Sequence, residues 1–489
     1  MPVRAVWRPP WYAWALLGLA ALALIYKITP GRLHGHGLIL IPLLVLAAVL
    51  ALRKLWELPP AVTVCAVIVL AIFSGAWQRI GLGGLPLDRL LIVVVLLQFL
   101  LRAPGIARVP RLQLRNVHLL LGLTIIYILV SALAAGTLSE ETALLALIDK
   151  VGITPYLLFL VAPSVFSGRR ERDLLLATLV GLGLYLGLTA IFESLGPHAL
   201  IFPRYILHAD VELPGERAGG PFQSSVTEGF ATFACAVAAV MAFSQWPGRR
   251  RRYLAGATVV VCIFGCFLTL ERGVWIAAIA GTVIAALTTR TGRRWLTPGV
   301  LACAMVVGGA LMLSPALAHK TSTRVNDQLS LWNRQNQTSA GLRMAASRPL
   351  FGFGWGRYVK DSPEYFRQAK SYPLNGISTP SKRWPLHDSY LSYVVELGLI
   401  GALLWLSALF WGVGEGIFSR GPTDLRSWKL GLLAIVVFFL LVSVANPPPQ
   451  PFTVLLIWVW AGVALGSPSL SAQVWRARAA NLATPAIPR

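Results

Sequence analysis

Residues 385–406 read PLHDSYLSYVVELGLIGALLWL, a stretch in which a polar segment turns into a helix of membrane length. From Ser389 to Leu406 the only charged residue is Glu396. In the whole chain of 489 residues, 56% are hydrophobic and only 13% are charged. A soluble core cannot absorb so much apolar sequence, and no alternating pattern indicates a barrel, so the composition predicts an all-α integral membrane protein.

Apolar runs of membrane length recur about 14 times along the chain. The predicted spans are Trp11–Tyr26, Gly37–Leu52, Pro60–Ala76, Leu87–Leu101, Val117–Ala135, Leu147–Phe166, Leu174–Ile191, Val226–Phe243, Tyr253–Leu270, Val274–Thr289, Thr297–Leu313, Ser389–Val413, Leu430–Val444 and Pro451–Leu465. This pattern places helices 1–11 in residues 1–316, a long loop in 317–386, helices 12–14 in 387–466 and a tail in 467–489.

The basic residues predict the orientation of the chain in the membrane. The formal net charge is +23, but the Lys and Arg residues stand mostly in short clusters in alternate connections between spans. That arrangement is typical of cytoplasmic loops rather than of a nucleic-acid-binding surface. Both termini are therefore predicted to be cytoplasmic, and the two long polar loops, 193–222 and 317–386, are predicted to be outside.

The second outer loop is itself strongly basic. Between Leu317 and Leu386 it holds eleven Lys or Arg residues against three acidic ones. Two explanations stay open: a solvated basic surface near anionic lipid headgroups, or a site for a substrate with negative charge, such as a diphosphate.

A short helix is predicted inside this loop. Thr338 or Ser339 can cap its start, and Pro349 stops it after Ser347. The predicted helix carries Arg343, which makes this arginine a candidate for binding an anionic substrate.

Three glycines follow the predicted helix at alternate positions. Gly352, Gly354 and Gly356 are separated by aromatic residues, and no strand precedes them as a dinucleotide-binding fingerprint would require. The spacing favours a tight turn that lays Phe353 and Trp355 on the bilayer interface over a nest for phosphate.

His387 lies where the outer loop meets the next span, at the depth of the lipid headgroups. On a helix, Tyr390 would share its face while Glu396 would point to the opposite side. A single histidine at this depth is either structural or catalytic, and the pattern alone does not separate the two.

Two further arginines are candidates for an anion site. Arg272 follows Glu271 in a turn of about three residues between two spans, where it either snorkels or pairs with Glu271, or serves as a fixed cation beside a cleft. Arg217 stands in the first outer loop, ahead of a span whose outer end is polar. No Asp-x-Asp pattern or His/Asp cluster indicates a metal ion, and no motif indicates a cofactor.

These motifs together resemble the bacterial O-antigen ligase and O-antigen polymerase superfamily. Members show an arginine-bearing helix, a P-L-F-G-x-G-x-G turn, a His-Asn-x-Tyr-Leu motif and an E-L-G-L-I-G helix, and LRMAASRPLFGFGWGRY and LHDSYLSYVVELGLIGALL are similar to them in the same order. ERGVW and RAGGPFQSSVTEG resemble two upstream family motifs. The resemblance covers roughly residues 215–445, and it departs from the family where Asp388 replaces Asn and Glu271 replaces Ser.

The resemblance implies an inverting, metal-independent glycosyltransferase of the GT-C kind in the bacterial cytoplasmic (inner) membrane. Its donor would be a glycan on undecaprenyl diphosphate, and its acceptor a glycan or another sugar-bearing molecule outside the membrane. Other polysaccharide-assembly proteins would be its partners. Site residues carry over by position: His387 is the expected general base, Arg272, Arg343 and, less directly, Arg217 are expected at the diphosphate, and Asp388, Tyr390 and Gly354 are expected to support the site.

Other functions remain open at this stage. Polymerase and ligase share these motifs, and the sequence contains no specific acceptor signal. A lipid or solute transporter would show paired charges or broken helices near the bilayer midplane, whereas the candidate residues here lie at the outer interface. A non-enzymatic scaffold for a polysaccharide-assembly complex is a third alternative.

Overall fold

Every regular element in the described part of the computed structural model is helical. The structure describes residues 46, 49, 50, 53, 54, 56–77, 79, 87–100, 114–208, 217–366, 385–419 and 423–466. The α-helices are α1 (Pro60–Ala71), α2 (Leu87–Leu100), α3 (Asn116–Ala135), α4 (Glu141–Ala146), α5 (Ile153–Val165), α6 (Arg169–Leu195), α7 (Ser225–Gln245), α8 (Arg249–Leu268), α9 (Arg272–Leu287), α10 (Arg290–Leu313), α11 (Pro315–Val325), α12 (Gln328–Ser347), α13 (Tyr358–Asp361), α14 (Ser389–Phe418), α15 (Arg426–Ser443) and α16 (Pro451–Leu465).

Eight of the described helices are long and apolar enough to cross a membrane, counting α4 and α5 with their short π-helical junction as one. Three shorter apolar helices, α1, α9 and α16, accompany them. The described residues therefore confirm the all-α prediction for this part of the chain, and their long apolar helices are consistent with a multi-pass membrane protein. Twelve of the predicted spans coincide with described helices, whereas Trp11–Tyr26, most of Gly37–Leu52 and the predicted tail at 467–489 lie outside the described residues.

The chain divides into two compact units. The first unit comprises Met1–Val67 and Pro86–Arg111, and in it the side-chain amide of Gln98 on α2 donates to the carbonyls of Trp56 and Leu58. The second unit comprises Ile68–Leu85 and Leu112–Arg489.

The core of the second unit is built around α16, whose residues are buried from Phe452 to Leu465. A helix that is apolar on all sides must be covered on all sides, and α5, α7, α14 and α15 pack against it. Within this core the indole Nε1 of Trp460 donates to the carbonyl of Trp428 at 2.9 Å. Both large rings are buried in contact with one another, and this hydrogen bond fixes the packing of α15 on α16.

The predicted long loop is largely helical up to Ser347. The expected short helix does end at Ser347, before Pro349, but it begins at Gln328 rather than at Thr338 or Ser339. The start was wrong because the first half of α12 interleaves amide-bearing and apolar residues without the periodic apolar stripe by which a helix is recognised. The later part of the loop, residues 367–384, lies outside the described residues.

The glycine-rich turn is docked on a break in α14. Gly398 has φ +69° and ψ 180°, a conformation that interrupts the helix and that side-chain-bearing residues avoid. Around this break the backbone N–H of Gly354 donates to the carbonyl of Glu396 at 2.8 Å, and that of Leu399 donates to the carbonyl of Pro349 at 2.8 Å. The turn and the helix therefore complete one another's hydrogen bonds.

The expectation that this turn lays Trp355 on the bilayer interface is wrong, because Trp355 is buried in the protein. Its side chain is only 4% exposed, and its Nε1 donates to the carbonyl of Ala143 at 3.0 Å. Its backbone N–H donates to Oγ of Ser131 on α3 at 3.1 Å. The indole anchors the turn inside the bundle because an interior partner is available for its only donor.

Candidate active site

A cavity of about 150 Å³ lies in the second unit, at the end of the bundle where α7, α9, α14 and α16 begin. It is lined by Arg217, Ser224, Ser225, Val226, Thr227, Phe230, Glu271, Arg334, His387, Phe439, Val442, Ser443, Asn446, Pro447, Pro448, Pro449, Gln450 and Thr453. Helix N-termini carry partial positive charge and unpaired N–H groups. The convergence of four such ends makes the cavity favourable for an anion.

Arg217 is brought to the cavity by a backbone contact between distant segments. The N–H of Ala218 donates to the carbonyl of Leu268 at the end of α8, at 3.1 Å. The turn from α8 into α9 then places Glu271 next to Arg217, with Arg217 Nη1 3.2 Å from Glu271 Oε2. The turn between two spans was predicted. In the structure it holds the carboxylate of Glu271 against the guanidinium of Arg217, which comes from a different segment.

Glu271 pairs with arginines from three other segments. Its Oε1 accepts a hydrogen bond from Nη2 of Arg334 on α12 at 2.9 Å, while its Oε2 accepts the bond from Arg217. Arg324 stands 3.7 Å from the same carboxylate and also pairs with Asp327. All three residues line the cavity, where the side chains of Arg217 and Arg334 are 21% and 22% exposed and that of Glu271 is 3% exposed.

His387 lies beside this ion pair, in the segment that leads into α14. Gln337, one turn after Arg334 on α12, places Oε1 2.8 Å from Nδ1 of His387 and 3.2 Å from its backbone N. Burial, and then the positive charge of Arg334, lower the pKa of His387 to about 4, against smaller opposing effects of Glu271 and the Pro385 carbonyl. The imidazole is therefore neutral at neutral pH and free to accept a proton.

The structure brings together only two of the four predicted substrate-binding and catalytic residues. His387 and Arg217 line the cavity. Arg272 instead donates from Nη1 to the carbonyl of Val325 at 3.0 Å. Arg343 donates from Nη1 to the carbonyl of Tyr365 at 2.8 Å, so neither of these two arginines lines the cavity in this structure.

The predicted supporting residues shape α14 rather than the cavity wall. Asp388 caps the helix by accepting a hydrogen bond from the N–H of Leu391 at 3.0 Å, which fixes the start of α14 directly after His387. The hydroxyl of Tyr390 donates to the carbonyl of Leu440 on α15 at 2.9 Å. Gly354 belongs to the docked turn described above.

Two residues of the cavity region were not recognised in the sequence. Arg334 and Gln337 stand three residues apart, the spacing that puts side chains on one helix face. The helix was predicted to begin after both of them, so their spacing gave no indication of a shared face. Among the described residues, no group of three or more His, Cys, Asp or Glu side chains is arranged to hold a metal ion.

The same part of the chain matches a family model. Residues 257–406 match the family described as O-antigen ligase. The resemblance to the O-antigen ligase and O-antigen polymerase superfamily is thereby confirmed. No curated protein matches the chain.

The matched segment contains three of the residues that line the cavity. Glu271, Arg334 and His387 lie within residues 257–406, as does Gln337, which contacts His387, whereas Arg217 stands before this segment. The match supports a glycosyl-transfer enzyme in the broad sense.

Proposed function

We propose that this protein is an extracytoplasmic glycosyltransferase that polymerises or transfers oligosaccharide units carried on undecaprenyl diphosphate in bacterial surface polysaccharide synthesis. One observation carries the proposal. In a single cavity, a neutral imidazole, His387, lies with two partly exposed guanidinium groups, Arg217 and Arg334. A base for a hydroxyl and a clamp for an anionic leaving group are the two elements that transfer from a sugar diphosphate requires.

The diphosphate of the donor would bind Arg217 and Arg334. A guanidinium has five N–H donors, and each of these arginines gives only one to Glu271, so further donors can face a phosphate. The N-terminal end of α7 adds its partial positive charge. The Oγ of Ser225 there is buried without a hydrogen-bond partner in the described structure, and it lines the cavity. We propose that these groups take the place of a metal ion.

His387 would act as the general base. It would remove the proton of the acceptor hydroxyl as that oxygen attacks the anomeric carbon of the donor. The bond from the anomeric carbon to the diphosphate oxygen breaks at the same time, and its electron pair leaves with undecaprenyl diphosphate. A single displacement of this kind inverts the anomeric configuration.

Arg272 and Arg343 remain predicted diphosphate ligands on the strength of the family motifs. Their present partners are the backbone carbonyls of Val325 and Tyr365. A role at the diphosphate would therefore require each guanidinium to turn away from its carbonyl when the donor binds.

The proposal includes the arrangement in the membrane. The apolar runs of the sequence support about 14 spans, and the family resemblance supports a GT-C-like bundle in the bacterial inner membrane. The positions of the basic clusters support cytoplasmic termini and a cavity on the outer side. Residues 317–386, including α11 and α12, would then stand outside, and the chain would meet other polysaccharide-assembly proteins there.

The test uses purified protein in lipid with one undecaprenyl-diphosphate-linked repeat unit as the only substrate. Wild type is expected to give longer glycans and to release undecaprenyl diphosphate, while His387→Ala is expected to lose about 10²–10⁴ in rate, the usual contribution of a general base. His319→Ala is the matched control, because His319 is an exposed histidine on α11 outside the cavity.

The products distinguish polymerase from ligase. A ladder of glycans that only His387→Ala abolishes would support a polymerase. Release of undecaprenyl diphosphate only after a lipid-linked or protein acceptor is added would support a ligase. Normal turnover by His387→Ala would refute the assignment of the base, and inactivity with every acceptor would favour a transporter.

A further inference from the structure

Gln337 links helix α12 to the residue proposed as the base. It is 5% exposed, and one oxygen, Oε1, approaches both polar groups that His387 presents on this side. The backbone N of His387 lies 3.2 Å from this oxygen and its ring Nδ1 lies 2.8 Å away.

The backbone contact identifies the Gln337 atom that faces His387. A backbone N–H can only donate, so the atom opposite must be the amide oxygen and not the amide nitrogen. The same oxygen also faces Nδ1, and a carbonyl oxygen cannot donate. The hydrogen between these two atoms must therefore belong to Nδ1. A neutral imidazole carries a single ring hydrogen, which leaves Nε2 with a free lone pair.

The charges around the ring favour this neutral form. Arg334 and Arg217 are the cations of the cavity wall, Glu271 is its carboxylate, and Asp388 is engaged as the cap of α14. Burial is the main reason that the pKa of His387 is lowered to about 4, and the positive charge of Arg334 lowers it further, against the smaller opposing effects of Glu271 and the Pro385 carbonyl. Gln337 accordingly meets a neutral ring at neutral pH.

We propose that Gln337 is a positioning residue that holds His387 in the tautomer with hydrogen on Nδ1, so that Nε2 is the nitrogen that receives the proton of the acceptor hydroxyl. The assignment of the proton transfer rests on the proposed function, whereas the tautomer does not. Because Arg334 and Gln337 share one face of α12, the same helix positions the leaving-group clamp and the base.

The tautomer can be read directly by ¹⁵N NMR of protein labelled in its histidine rings. The chain has seven histidines, and the signals of His387 are those missing from the spectrum of His387→Ala. Wild type at neutral pH is expected to show a protonated Nδ1 and an unprotonated Nε2 at His387. A protonated Nε2 in wild type would overturn the inference whatever the activity of the protein.

Variants of Gln337 test whether the tautomer of His387 affects the rate of glycosyl transfer. Gln337→Met keeps the length of the side chain but removes the hydrogen-bond acceptor. It should lower kcat about 10- to 100-fold, which is the usual effect of losing the partner that orients a histidine. The KM for the donor should be unchanged. Gln335→Met is the matched control, because Gln335 is an exposed residue of the same helix.

Gln337→Glu should restore most of the rate, because a carboxylate accepts from the same two groups. Its negative charge should also move the acidic limb of the rate profile to higher pH. Equal losses in Gln337→Met and Gln337→Glu with an unchanged profile would overturn the positioning role. A wild-type protein with the expected tautomer but no glycosyl transfer would refute the proposed function and leave the tautomer assignment intact.

Discussion

Oε1 of Glu271 lies 2.9 Å from Nη2 of Arg334, although the two residues are 63 positions apart in the chain. The other oxygen of the same carboxylate holds Arg217 at 3.2 Å. One buried carboxylate thus keeps two like-charged guanidinium groups side by side at the wall of the cavity. The Glu271 carboxylate lies between the two guanidinium groups, to which an anionic substrate would also be attracted.

Glu271→Gln should lower the thermal stability of the purified protein. The two arginines lose their shared counter-ion, and because their side chains are partly exposed we expect a cost of about 1–3 kcal/mol, below the usual range for a fully buried pair. Inorganic pyrophosphate should recover part of this loss by binding between the guanidinium groups, since a ligand stabilises the state that binds it. The measurement is the unfolding temperature with and without pyrophosphate.

Asp361→Asn provides the control for that experiment. Asp361 pairs with Nε of Arg357 at 3.0 Å, and neither residue lines the cavity. Pyrophosphate should shift this variant no more than wild type. If pyrophosphate stabilised Glu271→Gln and wild type equally, the anion site would not lie between Arg217 and Arg334.

Arg334→Lys and Arg217→Lys should each reduce kcat/KM by about 10²–10³, the usual effect of removing one preorganised donor from a developing negative charge. Lysine keeps the charge but cannot present the planar fork of donors that binds Glu271 and a phosphate together. The measurement is turnover of the lipid-linked donor, and Arg348→Lys is the control because Arg348 is exposed and stacks over Phe353 at 4.7 Å.

Arg343→Lys in the same assay tests the assignment made from the family motifs. A loss as large as that of Arg334→Lys is expected if Arg343 turns from the carbonyl of Tyr365 to the donor. Full activity of Arg343→Lys would remove it from the diphosphate clamp.

The apolar helices were predictable because their signal is local. α16 has the predicted bounds, Pro451–Leu465, and α14 starts at Ser389 as predicted, directly after a capping aspartate. A long apolar run between polar turns leaves no alternative in a membrane, because each backbone group must find its partner within the segment.

The candidate site was only partly predictable because it depends on contacts between distant segments. His387 and Arg217 were recognised from motifs, but Arg334 and Gln337 stand in a half of α12 that has no periodic apolar stripe. Glu271 was noted only as a departure from the family pattern. Its pairing with arginines 54 and 63 positions away follows from the packing of helices and is invisible in a single sequence.

Gly398→Ala should destabilise the protein by about 1–3 kcal/mol, because φ +69° with ψ 180° is a region essentially restricted to glycine. An added Cβ would also strike the backbone of Leu350 and disturb the docked turn. The measurement is again the unfolding temperature. Gly414→Ala is the control within α14, since a Cβ there meets no atom within 4 Å. Equal unfolding temperatures for the two variants would contradict the strain argument.

The pH dependence of kcat/KM should report His387 in the free enzyme. A general base works only when deprotonated, and because the pKa of His387 is lowered to about 4, the rate should stay level down to about pH 5 and fall only below it. An unperturbed histidine would instead lose activity through pH 6.5.

Two charge variants should move the acidic limb of the rate profile in opposite directions. Arg334→Gln removes a cation that lowers the pKa of His387, so the acidic limb should move to higher pH in the activity that remains. Glu271→Gln removes a carboxylate that raises the pKa, so the limb should move to lower pH. Opposite shifts in these two variants would identify the titrating group as one between Arg334 and Glu271, the position that His387 occupies. A common direction of shift would show that another group controls the rate.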